Sequence, residues 1–299
     1  MRDTDVNLYR RDRLCDEFGP FDGALGPDGV ATTANDIVGA TYRRILAETT
    51  AIVRHQWQND ISRSALKGFL FHGGVGIGKT TMARRLSYEL TRIFGGDEVE
   101  HEHDGSRHQH PSGDDIVFVV VDGADIARGR YGDSEEQLRK LFAFAVEGEF
   151  HGHRHDHEPM RRTVLLFDDV ESLFLARSSG GAKEWHFSQN SVFFHAIDEL
   201  NTARTIVVLT TNRIDLLDEA IVDRFLSYEF GVPPPEVLIE VARQRALQQK
   251  LPESALAPLV QTITLPESRV RSIREVERLV MRAYVGSIVG RELEQVPSH

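Results

Sequence analysis

Residues 68–81 read GFLFHGGVGIGKTT, and the fold turns on how they are read. The first five, GFLFH, are apolar and aromatic-rich, which predicts a short buried strand. Glycines at 73, 74, 76 and 78 follow, and residues 79–94 then carry helical spacing. Strand, glycine loop and helix form the context in which G-x-x-x-x-G-K-[ST], here Gly73 to Thr80, wraps a phosphate. Glycines let backbone N–H groups turn inward on an anion, and the helix N-terminus adds partial positive charge. Gly74, Val75, Gly76, Ile77, Gly78, Lys79, Thr80 and Thr81 are therefore the candidate phosphate-binding residues. Lys79 can reach the terminal phosphates, and the Thr80 hydroxyl can bind Mg2+.

Further strands are expected at IVFVVVD (116–122), TVLLFDD (163–169) and RTIVVLTTN (204–212), with helices over 38–58, 79–94, 134–147 and 188–201. Strands alternating with helices predict a parallel α/β sheet covered on both faces. After GVPPPE (231–236) the spacing is helical only, over 234–250, 253–262 and 272–290. The last helix starts on a capping box, Ser272 with Glu275. The expected organisation is a polar N-terminal extension (1–33), a large P-loop NTPase domain (34–231) and a small all-helical lid (232–299).

The strand at 163–169 ends in Asp168 and Asp169. A carboxylate at the end of a buried strand beside a phosphate loop is the usual second anchor for Mg2+, so Asp168 joins Thr80 as a candidate metal ligand. The chain's bulk properties agree with a soluble α/β protein. Charged residues make up 27% of the 299 and the formal charge is −11, which argues against a general nucleic-acid binder. Cys15 is the sole cysteine, so no internal disulfide forms. No apolar run approaches the roughly 18 residues of a membrane span, and the N-terminus lacks a signal-peptide core. The expected location is the cytoplasm.

Six ordered motifs resemble those of the AAA+ ATPases. DIVGAT (36–41) is similar to the motif whose backbone lies near adenine, which makes Ile37 and Gly39 nucleotide contacts. GGVGIGKTT (73–81) resembles the Walker A motif and LLFDDVESLF (165–174) the Walker B motif. VVLTTN (207–212) puts Asn212 in the place of the sensor-1 residue. LDEAIVDRF (217–225) makes Arg224 the arginine-finger candidate, and RSIREVERLV (271–280) makes Arg274 the sensor-2 candidate. The resemblance implies ATP and Mg2+ as cofactors, hydrolysis with Asp169, Asn212, Arg224 and Arg274 in catalytic roles, and a homo-oligomeric ring, expected as a hexamer, because an arginine finger acts across a subunit boundary. The family normally carries glutamate where Asp169 stands, so the carboxylate here is one methylene short. Glu171, two residues on, is expected to point elsewhere.

RYGDSEEQLRKLFAFA (130–145) resembles the pore-loop region of the AAA clade in the strict sense, which implies that Arg130, Tyr131 and Gly132 grip a protein substrate. In that clade the aromatic falls one place earlier, where Arg130 stands here. DDVESL and EAIVDR are similar to the HORMA-remodelling, pachytene-checkpoint-like branch in its bacterial form. That likeness implies a HORMA-domain partner and a setting in antiviral defence. The alternatives are a nucleotide-dependent scaffold with little turnover, kept alive by Asp169, and a DNA-directed motor.

Two His-rich insertions, near 97–115 and 148–160, interrupt the pattern. His101, His103, His108 and His110 lie in the first, and His151, His153, His155 and His157 in the second. Both precede strands expected to be adjacent, so they could meet around Zn2+ or Ni2+. Their low hydrophobicity favours solvated, disordered loops instead.

Overall fold

The computed structural model describes residues 7–9, 11–21, 25–26, 29, 31, 35–62, 65–95, 98–103, 106–111, 115–123, 126, 133–147, 161–174, 184–265 and 267–294. The pore-loop candidates Arg130, Tyr131 and Gly132 and the insertion at 148–160 lie outside the described residues.

The elements run β1 (Asn7–Tyr9), α1 (Arg11–Phe18), α2 (Ala40–Gln58), β2 (Gly68–Gly73), α3 (Lys79–Phe94), β3 (Glu98–His103), β4 (Ser106–Pro111), β5 (Asp115–Asp122), α4 (Asp133–Glu147), β6 (Arg161–Asp168), α5 (Glu184–Asp198), β7 (Thr205–Thr211), α6 (Glu219–Val222), β8 (Leu226–Phe230), α7 (Pro235–Gln248), α8 (Leu256–Thr264) and α9 (Ile273–Glu294). The main sheet has six strands in the order β1-β5-β6-β7-β2-β8. The last five are parallel, and β1 adds antiparallel to the edge of β5.

Because strand side chains alternate, the all-apolar strands feed two layers at once. Phe69, Phe71, Val164, Leu166, Ile206 and Val208 join the core under α2 and α3. Leu70, Leu165, Phe167, Val207 and Leu209 join the core under α4 and α5. Helices therefore cover both faces, as the P-loop NTPase fold requires. A third cluster, with Val241, Leu259, Val276 and Val280 at its centre, holds α7, α8 and α9 together.

Three features differ from expectation, the first being β1, which falls in the stretch expected to be a polar extension. β8 is a fifth parallel strand that the spacing missed, because LSYEF is an edge strand with polar positions and lacks a continuous apolar run. Residues 98–103 and 106–111 pair as antiparallel strands in a separate two-stranded sheet where a disordered loop was expected, with His101 opposite His108 in register. Among the described residues no group of three or more His, Cys, Asp or Glu is arranged to hold a metal.

The N-terminal segment is tied to the helix that follows the phosphate loop. Tyr88 of α3 donates its hydroxyl to the Pro20 carbonyl at 2.7 Å and its ring stacks on Phe21. Glu89, fully buried, pairs with fully buried Arg85 at 2.9 Å and accepts from the Ala31 backbone N–H at 3.2 Å. Arg85 in turn donates to the Ala31 carbonyl. A buried cation whose carboxylate is deleted is strongly destabilised. Glu89→Ala should therefore lower the unfolding free energy by about 3 kcal/mol in urea titrations, with Glu89→Gln losing less. A midpoint equal to wild type in Glu89→Ala would show that the pair holds nothing.

Candidate active site

The phosphate loop joins β2 to α3, and its backbone conformations explain its glycines. Gly73, Gly76 and Gly78 have φ of 138°, 73° and 98°, a region that residues with a Cβ avoid. Space is short as well: a Cβ on Gly73 would lie 2.1 Å from the Phe230 carbonyl oxygen, and one on Gly76 would lie 2.6 Å from Arg274 Cβ. Ile77 is buried beneath the loop, while Val75 stays exposed on its crest.

Lys79 is 6% exposed, and its ammonium has three donors. They go to Gly73 O at 3.0 Å, Gly74 O at 2.7 Å and Asn212 Oδ1 at 2.7 Å. An ammonium accepts nothing, so the atom of Asn212 that faces it must be the amide oxygen. That leaves Asn212 Nδ2 to donate to Asp169 Oδ1 at 2.8 Å and, more weakly, to Glu171 Oε1 at 3.4 Å. Burial pulls the Lys79 pKa below its ordinary value, and Asp169, Asp168 and Glu171 resist that pull.

Thr80 Oγ1 lies 2.9 and 3.1 Å from the two oxygens of Asp168. A hydroxyl and a carboxylate side by side at the mouth of a phosphate loop are the hard oxygen ligands Mg2+ takes, with water and phosphate completing its shell, so the residues fit that ion. Thr210 also donates to Asp168 and fixes it from β7.

Adjacent residues of an extended strand point to opposite faces, yet Asp168 and Asp169 line one cavity. The reason is local. Asp169 adopts a left-handed conformation, φ 52°, which ends β6, and its N–H donates to Thr210 Oγ1 at 3.1 Å. A 3-10 turn, Val170–Ser172, follows directly. This turn swings Glu171 back to β7, contrary to the expectation that it points away: Glu171 Oε2 accepts from Thr211 Oγ1 at 2.8 Å. The Asp169 carboxyl is held above its usual pKa by burial first, then by Asp168 and Glu171, while Lys79 and Asn212 pull it down.

The cavity over the loop has a volume of about 180 Å3, and Lys79, Thr80, Asp168, Asp169, Asn212 and Arg274 line it. Arg274 reaches it because its backbone N–H donates to Gly76 O at 3.1 Å. The start of α9 is fixed by its capping box, in which Glu275 N–H donates to Ser272 Oγ at 3.2 Å and Glu275 Oε2 accepts from Arg271 N–H at 2.7 Å. A second cavity of about 310 Å3 adjoins the first through Gly78, Thr81, Ile273 and Glu277, and Ile37, Val38 and Tyr42 form its apolar wall. Gly39 does not line either cavity; a Cβ there would lie 2.7 Å from Val237 of α7, so it is a packing glycine.

Arg224 also lies outside both cavities. It pairs with Asp198 at the end of α5 at 3.2 Å, donates to the Ala220 carbonyl at 3.0 Å and sits over the Phe194 ring. The acidic neighbours at 218 and 223 are nearer in sequence, but Asp218 instead caps α6 by accepting from Ala220 N–H at 3.0 Å.

Residues 69–231 match the sequence model of the "ATPase family associated with various cellular activities (AAA)". The chain is 33% identical over 174 residues to the ATPase histone chaperone YTA7 of Saccharomyces cerevisiae, a match covering 57% of this chain and 10% of that protein. It is 26% identical over 186 residues to the 26S proteasome regulatory subunit 8 homolog of Schizosaccharomyces pombe, covering 59% of this chain and 37% of that protein. It is 23% identical over 205 residues to a Corynebacterium kroppenstedtii protein named as an AAA ATPase forming ring-shaped complexes, covering 68% of this chain and 30% of that protein. The matched region thus spans about a tenth to somewhat over a third of these relatives.

The contact between Gly76 and Arg274 makes a testable demand. A Cβ at position 76 meets the Arg274 side chain at its Cβ and carries a left-handed penalty of roughly 1–2 kcal/mol. Gly76→Ala should weaken nucleotide binding about tenfold in a fluorescent-nucleotide titration, while its far-UV circular dichroism stays that of wild type. Unchanged affinity would separate the contact with α9 from the binding site.

Proposed function

We propose that this chain, which belongs to the AAA ATPase family, binds Mg-ATP in the paired cavities, hydrolyses it as part of a homo-oligomeric ring and uses the energy to remodel a protein partner. The observation that carries this reading is the single amide of Asn212 linking the phosphate-loop lysine to Asp169 beside the Thr80–Asp168 pair.

The chemistry follows from what each atom is free to do. The apolar wall of Ile37, Val38 and Tyr42 suits a base, and the loop N–H groups and Lys79 suit a triphosphate in the adjoining cavity. Thr80 and Asp168 would hold Mg2+, which supplies charge neutralisation for the phosphates. Asp169 Oδ1 is occupied by Asn212, so Oδ2 is the atom left to accept a hydrogen from the attacking water. The left-handed turn at Asp169 sets the direction of that carboxylate, and Asp169 would have to position the water with one methylene fewer than a glutamate. Arg274, fixed to Gly76, would bear on the terminal phosphate of its own subunit. Arg224 would leave Asp198 for the nucleotide of a neighbour, an exchange that an exposed ion pair allows at little cost. The ring reading draws support from the relative named as forming ring-shaped complexes. The finer reading of the partner, a HORMA-domain protein, rests on DDVESL and EAIVDR; a HORMA-domain protein that neither binds nor alters the ATPase rate would remove it.

Steady-state ATP hydrolysis tests the reading. Turnover per subunit should rise with protein concentration and vanish in EDTA. Asp169→Asn should bind ATP yet lose about 100-fold or more in kcat, the lower range for a general base. Full activity in Asp169→Asn would refute the assignment. ATP binding without turnover at any concentration would favour the scaffold.

A further inference from the structure

The Glu171 carboxylate enters the site without a role in the chemistry above. It receives three contacts: Thr211 Oγ1 at 2.8 Å, Asn212 backbone N at 3.4 Å and Asn212 Nδ2 at 3.4 Å. All come from the last residue of β7 and the one after it, where the ladder to β2 stops. A strand end has donors that the sheet no longer satisfies, and Glu171 takes them. We infer that Glu171 is a positioning residue that holds the β7 terminus so that one amide can bridge Lys79 and Asp169. The inference rests on the hydrolysis reading proposed above.

Two geometric facts carry it. Asn212 has two amide hydrogens, and they face two carboxylates, Asp169 and Glu171, while its oxygen faces Lys79. With all three amide directions engaged, rotation about the last side-chain bond breaks a contact whichever way it turns. Asp169 is also a short side chain on a turn of fixed left-handed geometry. It cannot reach after a displaced partner, so the placement of Asn212 must come from elsewhere, and Glu171 is the group that touches both its backbone and its amide.

The role predicts a pattern across two variants of the full chain. Glu171→Ala removes the acceptor, and kcat should fall about 10- to 100-fold, as for groups that orient a reacting residue, with KM within about twofold. Glu171→Gln keeps an acceptor oxygen and should stay within a few-fold of wild type. Crystal structures should show Asn212 rotated away from Lys79 in Glu171→Ala and in place in Glu171→Gln. Wild-type kcat in Glu171→Ala would overturn the inference. So would KM rising in step with the loss, the mark of a collapsed site. Glu171→Gln as slow as Glu171→Ala would overturn it too, since the negative charge and not the hydrogen bonds would then be in use. If wild type shows no turnover, the hydrolysis reading fails by itself, and the crystal structures decide this inference: an unmoved Asn212 in Glu171→Ala overturns it.

Discussion

The site depends on one buried cation. An ammonium removed from water must be paired or fully hydrogen-bonded, or the fold pays several kcal/mol. Lys79 meets that demand with two loop carbonyls and the oxygen of Asn212. The loop and Asn212 belong to different strands, so the demand falls on the sheet. β6, β7 and β2 are neighbours, with Phe167 opposite Leu209, Leu70 opposite Leu209 and His72 opposite Thr211. That register ends the three strands at one level. The phosphate loop, the aspartate pair and Asn212 consequently emerge together.

The glycine loop is gripped from two sides. The backbone of Phe230 leaves no room beside Gly73, and Arg274 leaves none beside Gly76. One contact comes from the edge strand β8 and the other from the first turn of α9. The helical C-terminal part therefore touches the loop through a backbone hydrogen bond to Gly76, and a shift of α9 must move that carbonyl. The N-terminal segment acts on α3, the helix that follows the loop, through the Arg85–Glu89 pair and the Ala31 backbone. The helix that presents Lys79 and Thr80 is thus held by chain segments on both sides of it in sequence.

Charge sharpens the picture. Asp168, Asp169 and Glu171 crowd one end of the site, against Lys79 and Arg274. Burial first, and then the negative charges of Asp168 and Glu171, raise the pKa of Asp169, and a divalent cation between Thr80 and Asp168 would offset that negative charge.

Sequence alone determined the elements whose signals are local. A glycine needed for positive φ, a lysine and hydroxyl at the start of a helix, a buried apolar strand and a capping serine each depend on a few consecutive residues, and all were legible at 68–81, 163–169 and 272–275. Tertiary structure decided what depends on partners distant along the chain. β1 and β8 are strands because a neighbour completes them, not because their own residues insist on it. Arg224 pairs with Asp198, 26 residues away, while Asp218 caps α6. Glu171 joins the site through a left-handed turn and a strand lying 40 residues further on. No periodicity encodes such a contact, since register and turn geometry are fixed only when the sheet closes.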